Sequence, residues 1–166
     1  MRINELITEI ADLPYEYKQG SDNRKYYFTT KAGNTYVVTI NGNKELYIEF
    51  AWKDSYGREV NTVSNTGDAF RVFATVAKII RNKINQANPD SIQFSSFKDE
   101  PSRIKLYSRL LDKLDNELPD YQKAPISDKL GVTSVVFSLW RNGYDPRGTL
   151  KAQTLKKLQT KKILGR

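Results

Sequence analysis

Between positions 45 and 84 the apolar residues change their period, and this change restricts the fold more than any other feature. In residues 45–52 they alternate, with Leu46, Ile48, Phe50 and Trp52 on one side and Tyr47, Glu49 and Ala51 on the other. A period of two is that of a strand with one buried face. In residues 68–84 the spacing becomes helical. Val72, Phe73, Val76, Ile79, Ile80 and Ile84 form a stripe, and Arg71, Lys78, Arg81 and Lys83 fall mostly off it. A chain that switches in this way packs helices on a sheet.

The rest of the chain extends the pattern. Ile3, Leu6, Ile7, Ile10 and Leu13 have helical spacing, ended by Pro14. Residues 25–30 and 36–40 are aromatic and β-branched. Gly33-Asn34 and Asn41-Gly42-Asn43 are turn signals, because asparagine and glycine tolerate positive φ. With residues 45–52 and a short strand at 59–63, these runs predict an antiparallel meander. Asn88-Pro89 breaks the first long helix, and residues 91–95 read as a strand. Pro101 suits the first turn of a second helix, whose buried face is Ile104, Tyr107, Leu110, Leu111 and Leu114. A polar stretch through Pro119 and Pro125 leads to a last strand at 132–140. The expected fold class is therefore α+β: a mixed, mostly antiparallel sheet with a βαβ crossover, flanked by helices. The strands at 59–63 and 92–94 are expected to be parallel, joined by a right-handed crossover through the long helix.

Composition narrows the chemistry. The chain of 166 residues has no cysteine and no histidine. Disulfides, thiolate nucleophiles, zinc sites and histidine acid–base chemistry are excluded, and no metal site is expected. Residues 1–13 mix apolar and acidic side chains, unlike a secretory signal. No apolar run approaches the length of a membrane span. A cytosolic or virion-associated protein is expected.

The charge is lopsided. The net charge is +8, and eight basic residues against one acidic residue lie between Arg141 and Arg166. The remainder is nearly neutral. The division is thus a domain over residues 1–142 and a basic tail over 143–166, whose Leu150, Leu155 and Leu158 fit one weak apolar side of a helix. Arg147, Lys151, Lys156, Lys157, Lys161 and Lys162 would serve an anionic partner by charge neutralisation.

Two fragments carry a resemblance to the GNAT acyl-CoA N-acyltransferases. The first is Ser64-Asn65-Thr66-Gly67-Asp68-Ala69, between a strand and the long helix. It is similar to the family's Gln/Arg-x-x-Gly-x-Gly/Ala turn, with Gly67 and Ala69 matching and Ser64 departing. The resemblance implies that Thr66, Gly67, Asp68, Ala69 and Arg71 hold the pyrophosphate of acetyl-CoA, where a helix N-terminus offers free donors. Thr66 or Asp68 capping a core helix explains the same residues. The second fragment is Leu106-Tyr107 in the following helix. In the family a tyrosine there protonates the leaving thiolate, and a phenol has a suitable pKa. Arg103 stands where the family has a small residue, and the usual Gly-Phe is replaced by Leu111-Asp112. Membership of the apolar face accounts for Tyr107 equally. Glu49 is the candidate base, and Ser96, Glu100 and Arg103, near the end of the second parallel strand, form a candidate polar site. Residues 66–114 also resemble small proteins encoded by tailed bacteriophages.

Two functions follow. One is a phage-type accessory or virion-associated protein. Its GNAT-like domain is non-catalytic, and its tail docks on a protein assembly, on another copy of itself or on nucleic acid. The alternative is an active acetyl-CoA-dependent N-acetyltransferase.

Overall fold

Among the described residues, a sheet of nine strands carries the fold. The computed structural model describes residues 13–60, 69–128 and 133–146, with Ser127 and Asp128 described by their backbone alone. In chain order the elements are β1 (Lys18–Gln19), β2 (Lys25–Thr29), β3 (Thr35–Asn41), β4 (Glu45–Lys53), β5 (Glu59–Val60), α1 (Ala69–Ala87), β6 (Ser91–Phe97), α2 (Pro101–Glu117), β7 (Tyr121–Lys123), β8 (Ser127–Asp128) and β9 (Ser134–Arg141). Strand neighbours run β1-β2-β3-β4-β6-β9-β7, with β5 also on β4 and β8 also on β9. Every pair is antiparallel except β4 with β6. The mixed, mostly antiparallel α+β class with a crossover is therefore the one the sequence predicts. The expected helix at residues 3–13 lies outside the described residues except for Leu13, which is exposed and not helical, and most of the tail lies outside them too.

Local chemistry explains the elements. The β3–β4 turn needs glycine at 42: its φ is +94°, and a Cβ there would sit 2.0 Å from the Glu45 carbonyl oxygen. Helix α1 ends at Asn88, which takes a positive φ of 46° and donates its N–H to the Ile84 carbonyl. Helix α2 opens on Pro101, whose missing N–H costs nothing in the first turn. The β4–β5 turn is stapled by Asp54, whose carboxylate accepts from the N–H groups of Tyr56 and Arg58.

One face of the sheet holds the core. Val38, Ile40, Leu46, Ile48, Ile92, Phe94, Phe137 and Leu139 pack against Val76, Ile79 and Ile80 of α1 and Leu110, Leu111 and Leu114 of α2. Each fully buried aliphatic side chain contributes about 1.5–3 kcal/mol. A row of stacked rings, Tyr15, Phe28, Tyr36 and Phe50, crosses β2, β3 and β4 with centroids 6.1, 5.3 and 5.4 Å apart. The row ends at Phe50 and fixes that residue in place.

The expected parallel pairing needs one correction. β5 is antiparallel to β4, through Trp52↔Val60 and Lys53↔Glu59. The parallel partner of β6 is β4, over Glu45↔Ser91 to Ile48↔Phe94. The reason is the tight turn after β4. It folds β5 back onto the end of β4, so the crossover through α1 returns the chain to the start of β4.

Candidate functional site

Strands β4 and β6 begin side by side and part after Ile48↔Phe94. β5 covers the same edge of β4 only from Trp52 onward. Residues 49–51 thus have β3 on one side and no described strand on the other. In a strand the N–H and C=O of one residue face one edge, and successive residues alternate. The Phe50 carbonyl accepts from a side chain on the open edge, so Phe50 is the residue of this stretch that turns its backbone groups into the notch.

Helix α2 reaches this edge with side chains. Arg103 Nη2 donates to the Phe50 carbonyl at 2.9 Å, and the arginine is only 9% exposed. Tyr107, one turn further along the same face, shares a hydrogen bond with the Phe50 backbone. Its ring lies 5.3 Å from Phe94 and 6.4 Å from Phe137, and the Arg103 guanidinium stands 5.8 Å from its centroid. Two side chains at i and i+4 thereby occupy the place of a ladder partner.

Glu100 joins the other wall. It has no role in capping its own helix by a side-chain bond. Instead its Oε2 accepts from Ser96 Oγ at 3.2 Å and from the Phe97 N–H at 3.3 Å. Arg103 Nη1 lies 3.9 Å from the same oxygen. A chain of contacts therefore runs from Phe50 on β4, through Arg103 and Glu100, to Ser96 and Phe97 on β6.

The notch opens on a cavity of about 310 Å³. Its described lining includes Glu49, Ser96, Glu100, Arg103 and Tyr107, five residues singled out in the sequence, and adds Phe50, Ser95, Phe97 and Ser134. Ser134 reaches the site from β9, where it pairs with Phe97. Nothing in the sequence marks it, because that pairing joins residues far apart in the chain. Phe97 could have been noticed as a large apolar residue ending a strand; it is 58% exposed.

Other candidates lie elsewhere. Thr66, Gly67 and Asp68 fall outside the described residues, as do Arg147, Lys151, Lys156, Lys157, Lys161 and Lys162. Ala69 is an exposed first residue of α1 and does not line the cavity. Arg71 is engaged apart from the cavity. Its Nε donates to the Leu13 carbonyl at 2.8 Å, and its guanidinium stacks 3.9 Å from the centroid of Tyr15.

The chemistry available is polar and mildly acidic. Burial pushes the Tyr107 phenol above its ordinary value, the nearby Arg103 charge draws it back, and Glu100 and Glu49 push it up again. The phenol is therefore protonated at neutral pH and can only donate a proton. Glu49 is an exposed carboxylate with no hydrogen bond or ion pair among the described residues. Among the described residues no cluster of three or more acidic side chains is arranged to hold a metal ion, and no helix is long and apolar enough to cross a membrane.

No protein-family profile and no curated protein matches the sequence. Solved structures with similar folds include a chimera of the Vibrio cholerae spermidine N-acetyltransferase SpeG with hSSAT, at 9% identity and a TM-score of 0.40 over 71% of this chain and 65% of that one. The chain thus spans just under two thirds of that structure. A Bacillus subtilis acetyltransferase in complex with CoA is similar at 14% identity and a TM-score of 0.34, over 81% of this chain and 91% of that one.

Proposed function

We propose that this chain is a GNAT-like domain that works by binding and not by acyl transfer, a phage-type accessory or virion-associated protein whose basic end docks on an anionic partner. The observation that carries the reading is the occupied notch. Arg103 bonds the Phe50 carbonyl across the gap between β4 and β6, and Tyr107 lies beneath it, 2% exposed. Arg103 and the Phe50 carbonyl thus hold each other beside a phenol that is almost wholly shielded from solvent. The phenol's oxygen is itself engaged with Phe50. The element order, the one parallel pair among the described strands with its crossover helix, and the divergence of that pair support the GNAT-like assignment.

The basic end supports the second half. Lys151, Lys156, Lys157, Lys161 and Lys162 lie together in sequence beside Arg147 and Arg166, and the domain before them is nearly neutral. A charge concentrated in this way draws in an anionic protein assembly, a second copy's acidic surface or nucleic acid. The place of action proposed is the host cytoplasm or the virion.

Titration with acetyl-CoA in a thermal-shift assay tests the first half. No stabilisation at millimolar cofactor is expected. A gain of about 2.7 kcal/mol at a hundred times a measurable dissociation constant would overturn it. Deletion of residues 147–166 tests the second half. Wild-type binding to duplex DNA or an acidic protein should weaken steeply with salt and vanish on deletion; salt-independent binding contradicts the reading.

One observation favours the active enzyme. Glu49 and Tyr107, a carboxylate and a protonated phenol, line a single cavity. In that reading Glu49 would take the proton of an amine as its nitrogen bonded to the acetyl carbon, the C–S bond of acetyl-CoA would break, and Tyr107 would protonate the departing thiolate.

A further inference from the structure

We propose that the notch beside Phe50 is a docking site for an extended peptide segment of a partner protein, one that carries a basic side chain and displaces Arg103. The inference rests on the binding reading of this cleft and names its ligand.

Three features point to a peptide. The first is the backbone. Phe50 presents a strand-edge carbonyl that no described strand meets, and a peptide N–H is its natural donor. The second is that Arg103 has somewhere to go. Glu100 Oε2 already lies 3.9 Å from Nη1, so release from Phe50 transfers the guanidinium to a carboxylate and leaves no buried charge unpaired. The third is the lining. Glu49 and Glu100 face the cavity against Arg103 alone, so the lining is net negative in a chain of net charge +8. Glu49 has no partner among the described residues and is free to take an ammonium or guanidinium group. Phe97, 58% exposed at the rim, offers an apolar wall to an alternate side chain of the same segment. A polyanion such as nucleic acid would meet Glu49 first and is disfavoured at this place.

The closed contact lowers affinity, because the peptide binds only the fraction of molecules in which Arg103 has left Phe50. Removing the arginine side chain should therefore tighten binding.

The full-length protein, labelled with ¹⁵N, is titrated with the blocked pentapeptide Val-Lys-Val-Lys-Val. Parallel titrations use the same peptide N-methylated at alternate amides and a version with glutamate for lysine. Amide shifts at Glu49, Phe50, Phe97 and Glu100 are expected with the first peptide only. The Arg103→Ala variant should bind it about tenfold more tightly, and Glu49→Gln should weaken it severalfold. The proposal is overturned if neither wild type nor variant shows shifts at millimolar peptide, or if all three peptides bind alike. If Arg103→Ala fails to fold, Glu49→Gln decides: undiminished binding of the lysine peptide overturns the proposal. Acetyl-CoA added to the same samples separates the two readings. Stabilisation by the cofactor sinks the non-catalytic function and leaves the peptide titration to be judged by itself.

Discussion

The two halves of β4 belong to one strand and are closed in different ways. From Glu45 to Ile48 the strand is laddered to β6, residue against residue. From Glu49 to Ala51 the same edge meets no described strand, and side chains of α2 meet Phe50 there. The first half is satisfied by backbone that any sequence carries. The second depends on two particular residues, Arg103 and Tyr107. The contrast shows how a sheet can open a cleft without leaving buried polar groups unmet: the helix beside it must carry the donor and the acceptor.

The largest effect is expected where the ladder is complete. Ile92 is fully buried opposite Leu46. Ile92→Ala should cost about 2–5 kcal/mol by chemical denaturation, through lost transfer energy and a cavity. A loss well below that range would mean that this half relaxes more easily than its packing implies.

Arg103→Ala comes next. It strips the Phe50 carbonyl of its donor and Glu100 of its nearest cation, at a cost of about 1–3 kcal/mol. Water entering the opened cavity sets the lower end of that range. Arg103→Lys should recover only part of the loss, because an ammonium cannot meet the carbonyl and Glu100 together with a planar fork. Full recovery by lysine would reduce the arginine to a simple positive charge.

A smaller effect belongs to the closed half. The Tyr144 hydroxyl donates to Glu45 at the start of β4, and its ring meets Trp140 edge-on. That hydrogen bond, with burial adding to it, pushes the phenol up to about 12. A group raised in the folded state contributes fully below its unfolded pKa, near 10, and loses that contribution as pH rises toward 12. Melting temperatures of wild type and Tyr144→Phe should therefore converge between pH 10 and 12, with the wild type higher below that window. Parallel curves would contradict the assignment.

Much of this arrangement is legible in the sequence. The alternation of residues 45–52 places Glu49 opposite to Phe50, and the structure keeps it from Leu46 to Phe50, after which Ala51 is buried as well and Trp52 only partly so. Helical spacing places Tyr107, Leu110, Leu111 and Leu114 on the buried side of α2, as found; it also places Ile104 there, which is only partly buried, while its neighbour Arg103 is buried. An arginine on such a face is the clearest signal of the site, because a buried guanidinium demands an acceptor. What the sequence hides is pairing. Residues 59–63 have strand character, yet β5 folds back on β4 by a turn that Asp54 stabilises, and the parallel neighbour of β6 is a strand one hairpin earlier. Local propensity does not encode which edge a strand joins. The short β7 and β8 are invisible for the same reason: they exist because β9 offers them an edge. Arg71 misleads because its position near the start of α1 says nothing of Leu13 and Tyr15, which claim it.

Amide hydrogen exchange at Phe50, compared between wild type and Tyr107→Phe, tests the substitution of side chains for a strand most directly. The account predicts a Phe50 amide protected in the wild type and exchanging much faster in the variant, with Ile48 unchanged in both. Equal protection of Phe50 in the two proteins would contradict it.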